Sequence, residues 1–160
     1  MTSGKIVVSM LVLVAVMTGL VMYYLQVYGF YDTVDEITGA QAIVVTDRTG
    51  ATHPVAIRDF KAIDAASSPI RYRACFTLDP ATVADAVPFE GATPLNGPGW
   101  FQCYSSKALT RDLESGGARA VLGQAEIHPD VDRVIAIYPD GRAFAWHQFN
   151  DKTPERGVMD

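Results

Sequence analysis

From Ile6 to Leu25 the sequence runs "IVVSMLVLVAVMTGLVMYYL", 20 residues with no charge, no proline and no long polar side chain. At about 1.5 Å per residue, a helix of that length spans the roughly 30 Å hydrocarbon core of a bilayer. Gly4, Ser9, Thr18 and Gly19 do not spoil it, because a helix satisfies its backbone bonds internally. Tyr23, Tyr24, Tyr28, Phe30 and Tyr31 gather at the far end, where amphipathic rings suit the headgroup layer. A cleaved signal peptide needs a shorter apolar run, about 7 to 15 residues, closed by a small-x-small site. Here "VMYYLQVY" puts bulky residues at those positions, so a retained anchor is expected. No cysteine follows the run to carry a lipid.

Charge orients the anchor. Lys5 precedes the span, whereas Asp32, Asp35 and Glu36 follow it, so the positive-inside rule predicts a cytoplasmic N-terminus. The expected location is a bacterial inner membrane, with the rest of the chain in the periplasm. All 18 acidic residues lie at or beyond Asp32, against 12 basic ones there. A net charge of 12 − 18 = −6 on that part argues against nucleic acid as a partner, since phosphate binding needs a basic patch.

The remaining length suits one domain. The sequence divides into an anchor over 1–31, a linker over 32–42, an exported α+β domain over 43–150 and a polar tail over 151–160. "QAIVVTDRTGATHPVAI" predicts a hairpin around a turn with Asp47 first and Gly50 last. "PIRYRACFTL" alternates, with Ile70, Tyr72, Ala74 and Phe76 on one face and Arg71, Arg73, Cys75 and Thr77 on the other, a strand with one apolar face. "DPATVADAV" predicts a short helix capped by Asp79 with Pro80 in its first turn. Three prolines and two glycines make Pro88–Pro98 a loop that crosses over something. A second helix is expected in "SSKALTRDLESGG", capped by Ser105 or Ser106 and stopped at Gly116 and Gly117. "RAVLGQAEI", "DRVIAIYP" and "RAFAWHQF" read as strands, the middle one apolar on both faces and the last two joined by a turn at Asp140 and Gly141. The expected architecture is an antiparallel sheet of about five strands with two short helices.

Cys75 and Cys103 are the only cysteines, 28 positions apart, far from C-x-x-C spacing. In an oxidising compartment the expectation is one intramolecular disulfide; a redox or metal role, or two buried free thiols, are the alternatives. His53, His128 and His147 fall on different predicted elements, and "HPDVD" reads as a turn that starts a strand, so no metal and no cofactor are expected. Arg71 and Arg73 on one strand face, with Trp146 and His147 on the last strand, are the candidate ligand or partner surface. The competing readings are a solvated arginine pair and an aromatic packed in a small core. None of the common nucleophile-elbow, P-loop, dinucleotide, zincin or EF-hand patterns occurs.

Taken together, "MYYLQVYGFY", "FKAIDAASSPIRYRACF", "PGWFQCY" and "VDRVIAIYPDGRAFAWHQFN" resemble an alphaproteobacterial family of small single-pass membrane proteins of unknown function. The resemblance covers nearly the whole chain. It implies the same two cysteine segments and the same terminal aromatic-His segment, and no activity. The expectation is therefore a non-catalytic accessory module, tethered to the lipid bilayer, that binds or stabilises another membrane or envelope protein. The alternative is a tethered periplasmic ligand-binding or sensor domain.

Overall fold

In the computed structural model, which describes residues 3–35, 37–38 and 42–152, the apolar run forms helix α1, Ser3–Tyr24. Its last turn widens into a π-helical segment, Leu25–Gly29, which Phe30 closes by donating to Leu25 O at 3.2 Å. No residue of α1 is buried, and an 18-residue window within Ser3–Gly29 reaches a mean hydropathy of 2.5. Such a helix is long and apolar enough to cross a membrane, by length and composition. The rings of Tyr24 and Tyr28 stack at its end with centroids 6.0 Å apart. This helix belongs to a first unit, Met1–Tyr31, and the folded domain to a second, Asp32–Asp160.

The second unit is α+β. Its main sheet is six-stranded and antiparallel, in the order β1 (Asp32–Val34), β4 (Ile57–Asp64), β5 (Arg73–Leu78), β8 (Arg142–Phe149), β7 (Val131–Ile137) and β6 (Arg119–His128). A separate pair, β2 (Val44–Thr46) and β3 (Thr52–Pro54), forms the expected hairpin, with Asp47 Oδ1 accepting from the amides of Thr49 and Ala51 and Gly50 at φ +85°. The α+β reading with an antiparallel sheet of about five strands stands, the main sheet having six; β1, within the segment read as a linker over 32–42, and β4 are the strands not expected. β-Branched Thr33 and Val34 pair with Ile63 and Ala62 there, and Val34 packs on the core.

Of the two short helices expected in the domain, one is α-helical among its described residues. Asp79 accepts from Ala81 N at 3.0 Å, with Pro80 following, but the turn is a 3₁₀ segment of four residues, Pro80–Val83. Extension is blocked because the next residues are drawn into pairing: Ala86 bridges Asp47, and Val87 N donates to Thr46 O at 2.9 Å. Helix α2, Ser106–Glu114, forms as expected, with Ser105 Oγ accepting from Ala108 N and Gly116 at φ +76° just beyond its end. At the β7–β8 turn Gly141 has φ +90°, and a Cβ there would lie 2.6 Å from Leu78 O, so only glycine fits. Of the tail expected over 151–160, residues 153–160 lie outside the described residues.

Each face of the main sheet carries its own core. The first gathers Ala62, Tyr72, Ala74, Phe76, Ile135 and Ala145 under Ile43 and Val45, which lie at and just ahead of the β2–β3 hairpin. The second gathers Cys75, Val134, Ala136 and Trp146 under Leu109 of α2, Tyr104 and the crossover residue Phe89. This explains why every residue of β7 is buried and why β5 is not a strand with one polar face. Both sheet edges are managed. Residues 86–89 run along β6, where Leu122 N donates to Val87 O at 2.9 Å and Phe89 N to Ala120 O at 3.0 Å. At the other edge β1 covers Ala62–Asp64, and β4 beyond it is bulged between Arg58 and Lys61 with Asp59 at φ +54°.

Candidate functional site

On the first face the register sets Arg133 of β7 opposite His147 of β8, and Tyr72 stands just before β5 beside them. Arg133 and His147 are each 1% exposed and Tyr72 is fully buried. Arg133 Nε donates to His147 Nε2 at 3.1 Å, so that nitrogen is the acceptor, and the ring proton sits on Nδ1 and donates to Pro69 O at 2.8 Å. Arg133 Nη1 also donates to Ala42 O at 3.0 Å. Its guanidinium lies 4.3 Å from the Tyr72 ring centroid, and the Tyr72 and His147 rings stack at 4.6 Å.

Burial, reinforced by the charge of Arg133, pushes the His147 imidazole down to about 3 against the opposing pull of the Pro69 carbonyl. Burial lifts the Tyr72 phenol to about 12, with Arg133 working the other way. A histidine held neutral this firmly is a fixed hydrogen-bond relay, not an acid or base near pH 7. The Tyr72 hydroxyl is buried and has no hydrogen-bond partner among the described residues. Exposed His128 lies with its ring 5.8 Å from that of His147, on the wall of a depression of about 290 Å³ shared with Asp64, Ser68 and Pro69.

On the second face the polar groups hold the crossover. Arg73, 3% exposed, donates from Nε to Leu95 O at 3.0 Å, from Nη1 to Ile70 O at 2.8 Å and Tyr72 O at 2.6 Å, and from Nη2 to Asn96 O at 2.9 Å. Gln148 Oε1 accepts from Thr93 N at 2.8 Å and Trp146 Nε1 at 3.0 Å, while its Nε2 donates to Gly91 O at 3.2 Å. Cys75 and Cys103 form a disulfide, S–S 2.15 Å with Cα atoms 6.3 Å apart, that fixes the crossover's far end to β5. Tyr104 lies beneath Arg73, its ring 5.7 Å from the guanidinium, and burial raises its phenol.

The surface expected from Arg71, Arg73, Trp146 and His147 is therefore not a surface. Strands β5 and β8 are the two central strands, covered on both sides, so Arg73, Trp146 and His147 are all buried. Alternation then divides them: Arg73 and Trp146, cross-strand partners, lie on the second face and His147 on the first. Arg71 precedes β5 and is half-buried. The sequence reading passed over Arg133 and Gln148. The signal for Arg133 was an arginine in step with Ile135 and Ile137 on a strand otherwise apolar on both sides.

A groove and a hairpin ion pair are open to solvent. Val34, Asp35, Phe60, Lys61, Trp100 and Phe101 line a groove of about 330 Å³, with Thr33, Ala62 and Ile63 completing it. Trp100 is 37% exposed, and its ring meets that of Phe101 edge-on at 6.3 Å. On the hairpin, His53 Nε2 lies 2.7 Å from Asp47 Oδ2; hydrogen bonds from Thr49 and then His53 hold that carboxyl well below the usual range. Among the described residues no group of three or more His, Cys, Asp and Glu is placed to hold a metal ion.

A family model described as a family of unknown function (DUF6446) matches residues 43–156, so the chain belongs to that family. No curated protein and no solved structure matches it.

Proposed function

We propose that this member of a family without an assigned activity is a non-catalytic accessory module, tethered to a membrane, that binds or stabilises another membrane or envelope protein. The observation that carries the reading is the joining of a helix with no buried residue to a domain whose buried Arg73, Arg133, His147 and Gln148 are committed to internal bonds. Those side chains hold the fold. A bacterial inner membrane with a cytoplasmic N-terminus and a periplasmic domain is supported by Lys5 before the helix and Asp32 and Asp35 after it. The Cys75–Cys103 pair suits an oxidising compartment. Small residues Ser9, Thr18 and Gly19 give the helix places for close approach by a second span.

The test has two arms. A reporter active only in the periplasm, fused after Asp160, is expected to be active; activity of a cytoplasmic reporter instead inverts the topology. Affinity purification from detergent extract is expected to return a reproducible partner. Repeated recovery of the protein alone at monomeric mass sinks the accessory reading.

A further inference from the structure

We propose that the groove lined by Phe60, Lys61, Trp100 and Phe101 seats the domain on the headgroup layer of the bilayer that holds the apolar helix, with Trp100 as the inserting side chain. The proposal rests on the membrane-tethered reading above. Its first support is the length of the chain itself. Val34, on one wall of the groove, follows Tyr31 by three residues, a tether of at most about 11 Å at 3.3–3.6 Å per residue. The polar layer of one leaflet is roughly 5–7 Å deep, half the difference between the full and hydrocarbon thicknesses. With Tyr31 at that layer, this wall of the groove has little chain with which to leave it.

Chemistry is the second support. Tryptophan concentrates at membrane interfaces, where its ring is half apolar and its N–H stays wet. The large apolar side chains exposed in the described part of the domain are Ile37, Trp100 and Phe149. Trp100 lines the groove, and Ile37 follows its wall residue Asp35 by two positions. Charge gives the third. Among the described residues the groove carries one exposed carboxylate, Asp35, and one exposed ammonium, Lys61. That pair complements the ammonium and phosphate of a zwitterionic phospholipid. The excess of acidic groups on the domain as a whole disfavours an anionic lipid surface. An added protein strand is a poor occupant, because the bulge at Asp59 breaks the pairing edge beside the groove.

Fluorescence reads this directly, since Trp146 is fully buried and Trp100 is the other tryptophan. The full chain is reconstituted in phosphatidylcholine vesicles, with and without lipid brominated near the headgroup. The expected result is quenching of Trp100 by the brominated lipid, a blue-shifted emission and protection from aqueous iodide. Trp100→Phe, which leaves buried Trp146 as the emitter, is expected to abolish the quenching by brominated lipid, and Lys61→Glu to weaken the quenching, blue shift and iodide protection of Trp100. A chain that floats with the vesicles while Trp100 stays open to iodide and untouched by bromine overturns the groove proposal and leaves the anchor standing. Failure to float sinks the anchor itself. Protection from iodide without lipid quenching, growing with protein concentration, assigns the groove to a second copy and also overturns the proposal.

Discussion

One face of the main sheet lies under a paired hairpin, and the other under helix α2 and a long crossover with no ladder of its own. On the hairpin side the covering backbone satisfies much of its own hydrogen bonding, so Ile43 and Val45 need only be apolar, and the buried polar groups Arg133 and His147 concentrate beside Tyr72. On the crossover side, backbone groups of Gly91, Thr93, Leu95 and Asn96 have no strand to meet. The sheet must supply partners from side chains, and Arg73 and Gln148 do so. The lesson is that an irregular cover demands buried polar side chains beneath it, whereas a regular one leaves them optional.

The sharpest way to separate the two covers is to open the Cys75–Cys103 disulfide. With its ends 28 positions apart in sequence, the chain-entropy model gives a loss of about 3–4 kcal/mol in the Cys75→Ala, Cys103→Ala double variant, measured by urea unfolding. Amide exchange is expected to quicken over residues 88–104 and to leave the hairpin unchanged. Equal loss of protection in the hairpin breaks the comparison, because the two covers then move as one.

Next in size is Arg73→Met, expected to cost about 3 kcal/mol, since hydrogen bonds to a buried charged group contribute about 1.5–3 kcal/mol and several are lost together. Arg73→Lys is expected to restore little. An ammonium is a point charge and does not reach the carbonyls of Ile70, Tyr72, Leu95 and Asn96 at once. Full rescue by lysine counts against the clamp.

The hairpin face is probed by acid. Because the folded-state value of His147 is lowered to about 3, the unfolded chain takes up a proton below about 6.5 that the folded chain refuses. The stabilisation is complete above the unfolded value and is lost as the pH falls toward the folded one. By pH 5 the loss is about 2 kcal/mol. Urea unfolding at pH 7 and pH 5 is expected to show it in the parent chain and to lose it in His147→Gln. An undiminished acid loss in the variant assigns the proton elsewhere.

Much of this architecture was legible in the sequence wherever local chemistry decides it. Asp47 and Gly50, Ser105 and Gly116, and Asp140 and Gly141 mark their turns and caps because those conformations depend on their own atoms. Tertiary context decided the rest. The Asp79–Pro80 start was a genuine helix signal, overridden when Ala86 and Val87 were drawn toward β2. Three residues of β1 carry too little pattern to stand out, and they form a strand only because β4 offers an edge. Arg73 reads from the sequence as part of a ligand or partner surface, with a solvated arginine pair as the competing reading, and is instead buried. Nothing local reveals that a Pro-rich loop with carbonyls 22 and 23 positions further along the chain will settle over it. The apolar helix was the most legible part, and the groove beside Trp100 the least, since its walls come from three separate stretches of chain.

Strand β8 comes last of the strands in chain order and sits in the middle in space. It alone pairs with both β5 and β7, so β1-β4-β5 and β7-β6 meet only through it. A chain made from its N-terminus therefore cannot complete the sheet until Phe149 has emerged. Helix α1 is ready for a membrane long before that, and the apolar strands wait. The hazard for this protein lies in that interval, when an open chain with exposed apolar strands is most prone to aggregate or to need a chaperone.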